Sequence, residues 1–179
     1  MLKLTLPETE VYDESRNEFV LLPKVKLKLE HSLVSLSKWE SIHKKAFMGP
    51  NQKTQEETIS YIECMCLGSH PKGLRTRLTP DQLTTINQYI SDKATATTFR
   101  DIPGQRGSRE VVTAEIIYYW MVAMNVPLEC ENWHLDKLFS LLRVISLKSA
   151  PAKKMSRNEL IARNRELNAQ RRAALNTTG

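Results

Sequence analysis

The hydrophobic residues of this chain change their spacing near residue 31. Residues 24–30 alternate strictly between polar and aliphatic side chains, which is the period of a β-strand with one buried face. Beyond them, Leu33, Leu36 and Trp39 follow one another at intervals of three, the spacing of one helix face. We therefore predict an α+β fold that is mostly helical, with its strands at the N-terminus.

The strand region predicts a short N-terminal antiparallel β-ribbon. Residues 3–6 also alternate, residues 13–17 are turn formers, and residues 18–22 form a short apolar strand. Lysines on the solvent face of residues 24–30 discourage pairing with other chains. Because two or three strands bury too little apolar surface to be stable alone, the ribbon must pack on the helical part.

About five packed helices are predicted after the ribbon. Thr54 and Thr79 are each followed three residues later by Glu or Gln, which is a capping box at a helix start. The fourth helix is apolar on nearly all sides, so it is either the buried centre of the fold or half core and half partner surface. The helices are expected at about residues 32–47, 54–67, 79–91, 109–125 and 131–147.

Residues 93–108 have no hydrophobic period and predict a long loop before the fourth helix. Gly104 and Gly107 lie near its end, but the spacing of a phosphate-binding loop is absent and no strand precedes them. We therefore interpret Ser108 as the N-cap of the following helix.

The positive charge is concentrated near the C-terminus. The whole sequence carries a formal charge of +6, and residues 151–179 contain seven basic and two acidic residues, so residues 1–150 are nearly neutral. We predict two parts: residues 1–150 form the β-ribbon and helical body, and residues 151–179 form a linker and a detached basic helix. A capping box at Ser156 begins that helix.

Composition excludes several classes of protein. No stretch approaches the roughly 18 apolar residues of a membrane span, and the N-terminus has no apolar leader. Three cysteines, an odd number, favour reduced thiols inside a cell. Cys64 and Cys66 point about 200° away from each other on a helix, so we interpret them and Cys130 as buried thiols, not zinc ligands.

No set of residues for catalysis is recognisable. The four histidines are scattered along the chain, and only His134 is expected to be half-buried. No serine or cysteine lies in the glycine-rich turn that an activated nucleophile needs. We therefore expect no enzymatic activity, no metal and no cofactor, and we expect the chain to act through binding surfaces.

The first candidate partner-binding group is aromatic. Tyr118 and Tyr119 are about 100° apart on a helix, so both cannot face the core. The group is therefore either core or an interaction patch, whose composition it matches. Its members are Tyr118, Tyr119, Trp120 and Trp133.

The second candidate group is the basic C-terminal helix, which also carries a thin apolar stripe of Leu160, Ile161 and Leu167. A solvated helix, a docking helix for another protein and a nucleic-acid-binding helix stay open. Nucleic acid is disfavoured, because this segment has no aromatic residue to stack on bases and the body has no second basic patch. The arginines are Arg157, Arg163, Arg165, Arg171 and Arg172.

The chain resembles the tail assembly chaperones of tailed bacteriophages, small proteins encoded near the tape measure protein. The resemblance covers nearly the whole sequence. It is strongest in the stretch that follows the lysine-alternating strand and in three later stretches. These are residues 29–41, 114–121, 132–135 and 155–168.

The resemblance implies a role in binding without catalysis. Such chaperones are thought to coat the long, helical tape measure protein in the host cytoplasm and to help the tail tube protein polymerise around it. The basic helix would suit an acidic segment of either partner, and self-association into a homo-oligomer stays open. Two other functions also stay open: a structural virion subunit for tail completion or the neck, and a nucleic-acid-binding regulator.

Overall fold

The structure is a computed structural model and describes residues 1–13, 17–68, 71, 73–99, 111–149 and 157–175. Within these residues the chain forms four strands, seven α-helices and one 3₁₀ helix, which confirms the predicted α+β, mostly helical class. The strands are β1 (Leu2–Leu6), β2 (Thr9–Asp13), β3 (Glu18–Leu22) and β4 (Val25–Leu29). The helices are α1 (Leu33–His43), α2 (Gln55–Met65), α3 (Leu74–Arg77), α4 (Pro80–Ser91), α5 (Ala114–Ala123), the 3₁₀ helix (Leu128–Asn132), α6 (Leu135–Ser149) and α7 (Arg157–Leu175).

The four strands form one antiparallel ribbon in a single register. β1 pairs with β4, with Leu2 opposite Leu29, and β2 pairs with β3, with Thr9 opposite Leu22. The two pairs are separated by residues 7 and 8 on one side of the ribbon and by residues 23 and 24 on the other, and each gap begins with a proline. Proline has no backbone N–H to donate to a ladder, so the hydrogen bonding is interrupted at this point.

Strand β2 is a departure from the sequence prediction. The sequence around residues 13–17 predicts a turn, and no separate strand is predicted over residues 9–12. Residues 14–16 lie outside the described part of the chain. β2 forms although three of its five residues are polar, because it completes the ladder of the more apolar β3.

The side chain of Arg77 holds the interrupted point of the ribbon. Arg77 is only 4 % exposed, and its Nη2 donates to the carbonyl oxygens of Pro7 at 2.6 Å and Pro23 at 2.7 Å. Nearby, the side-chain amide of Gln82 donates to the carbonyl of Thr5 at 2.9 Å. The ribbon is thus tied to α3 and α4 by side-chain bonds to its backbone.

Two hydrophobic clusters form the core. The first packs the ribbon on α1, α2 and α4, and the second packs α1 on α5 and α6. Because α1 contributes to both clusters, it is the central element of the fold. The largest fully buried residues are Leu6, Leu29, Trp39, Ile62, Met65, Leu74 and Ile86 in the first cluster and Leu33, Leu36, Ile117, Met121 and Leu135 in the second.

Helix α5 begins later than the sequence predicts. Residues 111–113 are not helical, and Thr113 is the N-cap residue, so Ser108 is not its N-cap and lies outside the described residues. Thr113 makes no side-chain capping bond. Instead, the buried carboxylate of Glu40 on α1 accepts from the backbone N–H of Ala114 at 2.8 Å. A capping group from another helix leaves no local sequence signal.

The start of α6 also differs from the prediction. The 3₁₀ helix occupies residues 128–132, and Trp133 follows it in an extended conformation (φ −74°, ψ 161°). The predicted helix start at residue 131 is therefore wrong, and Trp133 precedes α6 instead of lying on it. The backbone N–H of Leu135 donates to the carbonyl of His31 at 2.8 Å, so a contact with the end of β4 determines where α6 begins.

The contacts divide the chain into two compact units, Met1–Ser146 and Leu147–Gly179. The first contains the ribbon, α1 to α5 and both core clusters. The second contains α7, in which every side chain that the structure describes is exposed. The predicted linker, the boundary at residues 150 and 151 and the capping box at Ser156 lie outside the described residues.

Candidate partner-binding surfaces

The two tyrosines of α5 have different environments. Tyr119 is 69 % exposed, whereas Tyr118 is half-buried and its hydroxyl donates to Glu131 Oε2 at 2.7 Å. Burial and this hydrogen bond raise the pKa of Tyr118 above its ordinary value. Tyr118 is therefore fixed within the fold, and Tyr119 is available to a partner.

The two tryptophans of the predicted group also differ in how deeply they are buried. Trp120 is half-buried against the second core cluster. Trp133 is 36 % exposed, and the ammonium of Lys137 lies 4.1 Å from its ring centroid. Such a cation–π contact holds the ring in place while leaving part of it accessible. Of the four aromatic residues, Tyr119 and Trp133 are the ones with the most accessible surface.

Helix α5 also exposes an aliphatic residue that the sequence did not single out. Val122 is 66 % exposed, and it lies three residues after Tyr119, on the same side of the helix. Ile117 and Met121, on the opposite side, are fully buried. Because α5 is apolar on almost every side, only the packing of α1 and α6 decides which face stays uncovered. We call Tyr119 and Val122 the α5 stripe.

The arginines of α7 are all exposed, together with four large aliphatic side chains. On a helical wheel the aliphatic side chains occupy an arc of about 120°, and Arg157 and Arg171 lie within the same arc. The helix therefore presents one surface that is both basic and apolar. The aliphatic residues are Leu160, Ile161, Leu167 and Leu175. The aromatic residues and the arginines belong to different compact units.

The outer part of the ribbon carries an exposed apolar face that the sequence did not predict. Tyr12 and Phe19 are opposite each other in the ladder, with ring centroids 5.1 Å apart. Their exposed fractions are 46 % and 71 %, and that of Leu21 is 56 %. No separate strand is predicted over residues 9–12, so the sequence does not predict the pairing that brings these side chains together. We call Tyr12, Phe19 and Leu21 the ribbon face.

Two histidines that are far apart in the sequence meet in the interior. His31 and His134 are 7 % and 8 % exposed, with ring centroids 5.2 Å apart. The expectation that only His134 would be half-buried is therefore wrong: both are buried, because the bridge between Ser32 and His134 joins the end of the ribbon to the start of α6. His70 lies outside the described residues.

Hydrogen bonds satisfy the polar groups around this histidine pair. His31 Nδ1 lies 2.5 Å from the hydroxyl of Tyr61, and the hydroxyl of Tyr89 donates to Glu30 Oε1 at 2.5 Å. His134 Nδ1 accepts from the backbone N–H of Asp136 at 3.3 Å, and Nε2 donates to the carbonyl of Tyr89 at 3.1 Å. Burial, together with the neighbouring His134, lowers the pKa of His31 to about 4, against a smaller opposing effect of Glu30. The cluster therefore joins elements of the fold and is not an open site.

A groove of about 450 Å³ lies between α1 and α2. It is lined by Lys38, Ile42, Glu63 and the two neighbouring thiols. Burial raises the pKa of Cys66 to about 11 and also raises the pKa of Cys64. Thiols with raised pKa values are poor nucleophiles. Cys66 and Cys130 are buried as predicted, and Cys64 is half-buried.

One serine and one histidine are paired beside this groove. Ser60 Oγ lies 2.9 Å from His43 Nε2, and the rings of His43 and Trp39 are 4.6 Å apart. Ser60 is buried within the middle of α2 and not on the strained turn that exposes an activated nucleophile. We therefore interpret the pair as a packing contact between α1 and α2.

The described residues contain no group of three or more His, Cys, Asp or Glu side chains that could hold a metal ion. In the same part of the chain, no helix combines the length and apolar character needed to cross a membrane.

Comparison of the chain with protein families, with curated proteins and with solved structures found no match.

Proposed function

We propose that this chain acts by binding, as a tail assembly chaperone of a tailed bacteriophage that covers apolar helical segments of the tape measure protein in the host cytoplasm. The observation that supports this proposal is the α5 stripe, in which Tyr119 and Val122 are more than half exposed on a helix held rigidly by the core. Large apolar side chains on such a helix are a frequent feature of protein-binding surfaces.

The rigidity of α5 matters for a holding function. Its inner residues Ile117 and Met121 are fully buried, and its first turn is capped by Glu40 from α1. A preorganised helix loses little conformational entropy when a partner binds, so more of the contact energy becomes affinity. A helical client can lay its own apolar face against such a surface.

The α7 surface supports a second contact with the client or with the tail tube protein. Five exposed arginines and four exposed aliphatic residues on one helix suit a segment that is both acidic and apolar. Electrostatic attraction of this kind speeds encounter, whereas the apolar contacts slow dissociation.

Co-expression of the chain with the tape measure protein tests the proposal. We expect the client to become soluble and to co-purify. A chain with Tyr119→Ser and Val122→Ser should bind at least about tenfold more weakly, because each side chain is worth about 1 kcal/mol or more at an interface. The matched control is Ile42→Ser, which removes a 62 % exposed aliphatic residue from α1.

Two results would contradict the proposal. One is a client that stays insoluble in the presence of the chain, and the other is a doubly substituted chain that is as effective as the parent. A fixed number of copies in purified phage particles would favour a structural virion subunit instead. Retention on DNA that weakens steeply with salt would favour a nucleic-acid-binding regulator, for which the exposed arginines of α7 are the supporting observation.

A further inference from the structure

Two segments of this chain carry opposite charge. Residues 8–22, the outer part of the ribbon, contain five acidic residues and one arginine, a formal charge of −4. Helix α7 contains five arginines and two glutamates, a formal charge of +3. Opposite charges of this magnitude are thus concentrated in two segments of a chain whose net charge is +6. Surfaces with such opposite charges attract each other.

The ribbon face is apolar in the middle of this acidic segment. In the ladder Tyr12 is opposite Phe19, and Glu10 is opposite Leu21. Positions two apart along a strand share a face, so all four side chains project from the same side of the ribbon. All four are exposed. This side therefore offers two aromatic rings, one aliphatic side chain and one carboxylate.

The opposite side of the outer ribbon is partly covered. Val11, Val20 and Leu22 are half-buried, and a Cβ atom on Gly73 would come within 2.9 Å of Leu22 Cδ1. The ribbon thus turns one side toward the body of its own unit and leaves the ribbon face open. An open apolar face on a two-stranded ribbon is a typical place for another molecule to bind.

The chemistry of the ribbon face determines what kind of molecule suits it. Aromatic rings attract guanidinium groups through their negative faces, and the carboxylate of Glu10 can accept hydrogen bonds from the same groups. Leu21 and the ring edges of Tyr12 and Phe19 pack best against aliphatic side chains of the partner. The fitting partner is therefore a helix that carries arginine and leucine on one side.

Helix α7 has this composition. Leu160 and Leu167 lie one above the other, two turns apart, and Arg171 follows on the same side of the helix. The side chains of Leu160 and Leu167 are 46 % and 38 % exposed.

We propose that this chain associates with a second copy of itself, with the apolar and basic side of α7 of one copy lying on the ribbon face of the other. Contact between two ribbon faces would bring together two segments of charge −4, and contact between two α7 helices would bring together two of charge +3. Both like-with-like arrangements are repelled, so the complementary one is favoured. If a single contact of this kind joins two copies, one ribbon face and one α7 stay unused and further copies can add, whereas a reciprocal exchange of both helices closes a dimer.

Sedimentation velocity of the full chain over a dilution series measures this association directly. We expect the mean mass to rise with concentration in about 50 mM salt and to fall in about 500 mM salt, since salt screens exposed charges. A mass that stays that of a single copy at all concentrations would overturn the proposal. The sample in this measurement contains no client. A negative result therefore contradicts self-association and leaves the chaperone proposal to its own test.

Reversal of single charges identifies the two surfaces. Glu10→Arg and Arg171→Glu should each raise the concentration needed for half-association at least about tenfold. The matched control is Glu129→Arg, which reverses an exposed charge on the 3₁₀ helix, a residue that belongs to neither surface. Because the substituted residues are exposed, circular dichroism of each variant should equal that of the parent chain.

A mixture of the two variants gives the sharpest outcome. In the mixture, the unsubstituted α7 of the Glu10→Arg copy meets the unsubstituted ribbon face of the Arg171→Glu copy, so mixing should restore the association that each variant weakens when alone. Restoration supports the proposed pairing. Equal weakening by the Glu129→Arg control, or no restoration on mixing, would overturn it.

Discussion

The buried carboxylate of Glu40 shows how one residue can organise several elements. Glu40 is 8 % exposed, and its two oxygens accept from the backbone N–H groups of Phe47 at 2.7 Å and Ala114 at 2.8 Å. One side chain of α1 thus caps α5 and fixes the chain that leaves α1. Bonds from backbone amides offset the cost of burying a carboxylate.

His31 makes a similar connection between distant parts of the chain, but it is sensitive to pH. It contacts the hydroxyl of Tyr61 on α2 and the ring of His134 next to α6, and Glu30 is its neighbour in sequence. A proton on His31 would place a positive charge inside this cluster, against the ring of a second histidine. Burial and that ring therefore lower its pKa.

The fold should lose stability as the pH falls from 6.5 toward 4. In this window the unfolded chain, whose histidine has a pKa near 6.5, binds a proton that the folded chain excludes until about pH 4. A pKa lowered from 6.5 to about 4 corresponds to a loss of roughly 3 kcal/mol once the pH is below both values. Unfolding by urea at a series of pH values measures this loss.

The variant His31→Asn serves as the comparison for that series. Asparagine keeps an acceptor for Tyr61 and does not titrate, so its free energy of unfolding should change less between pH 6.5 and 4. The carboxylates of the chain titrate in both proteins and cancel in the difference. Parallel pH curves for the two proteins would contradict a role of His31.

Among the elements, the ribbon depends most on a contact from outside itself. Pro7 and Pro23 interrupt its ladder, and Arg77 supplies donors to both of their carbonyl oxygens. The Arg77 guanidinium is buried without an acidic partner within hydrogen-bonding distance, and its Nε has no hydrogen bond within the described structure. Its two bonds to backbone oxygens are therefore its main compensation for burial.

Substitution of Arg77 by Met should destabilise the protein by about 1–3 kcal/mol, because two carbonyl oxygens lose their donor. The matched control is Arg75→Met, two residues earlier, which removes the exposed ion pair with Glu63 and should change stability much less. Urea unfolding of the three proteins gives the comparison. An equal effect of the two substitutions would show that Arg77 does not hold the ribbon.

Helices α2 and α4 show which elements local sequence predicts well. Thr54 and Thr79 each accept from a backbone N–H three residues later, and Glu57 and Gln82 return the bond, as the capping boxes predicted. Their starts depend on residues within one turn, so a local pattern is sufficient. Helices α5 and α6 begin where Glu40 and His31 contact them, and both starts were predicted too early.

At the scale of the whole molecule, charge and apolar surface are distributed unevenly. The α5 stripe and the ribbon face belong to the first compact unit, and α7 belongs to the second. Residues 1–150 are nearly neutral, although the outer ribbon is acidic. Partners should therefore distinguish these surfaces by charge as well as by shape.

A chain that ends at Ser149 should fold as the full chain does. All described side chains of α7 are exposed, so its removal takes away no core contact. We expect the midpoint of thermal unfolding to change by less than about 4 °C, while binding to the proposed client and the proposed self-association are reduced. Thermal unfolding followed by circular dichroism provides the measurement, and a fall of more than about 10 °C would contradict this expectation.

The amino-acid sequence by itself determined the fold class, the position of the described strands within the first thirty residues, the capped starts of α2 and α4 and the concentration of basic residues near the C-terminus. These properties depend on the spacing and identity of residues that are close together in the chain. The tertiary structure alone decided that Tyr119 and Val122 are uncovered while Tyr118 is held by Glu131. It also decided that His31 meets His134 and that β2 completes the ribbon. Each of these outcomes depends on side chains or strands supplied from elsewhere in the sequence, and hydrophobic period carries no information about such contacts.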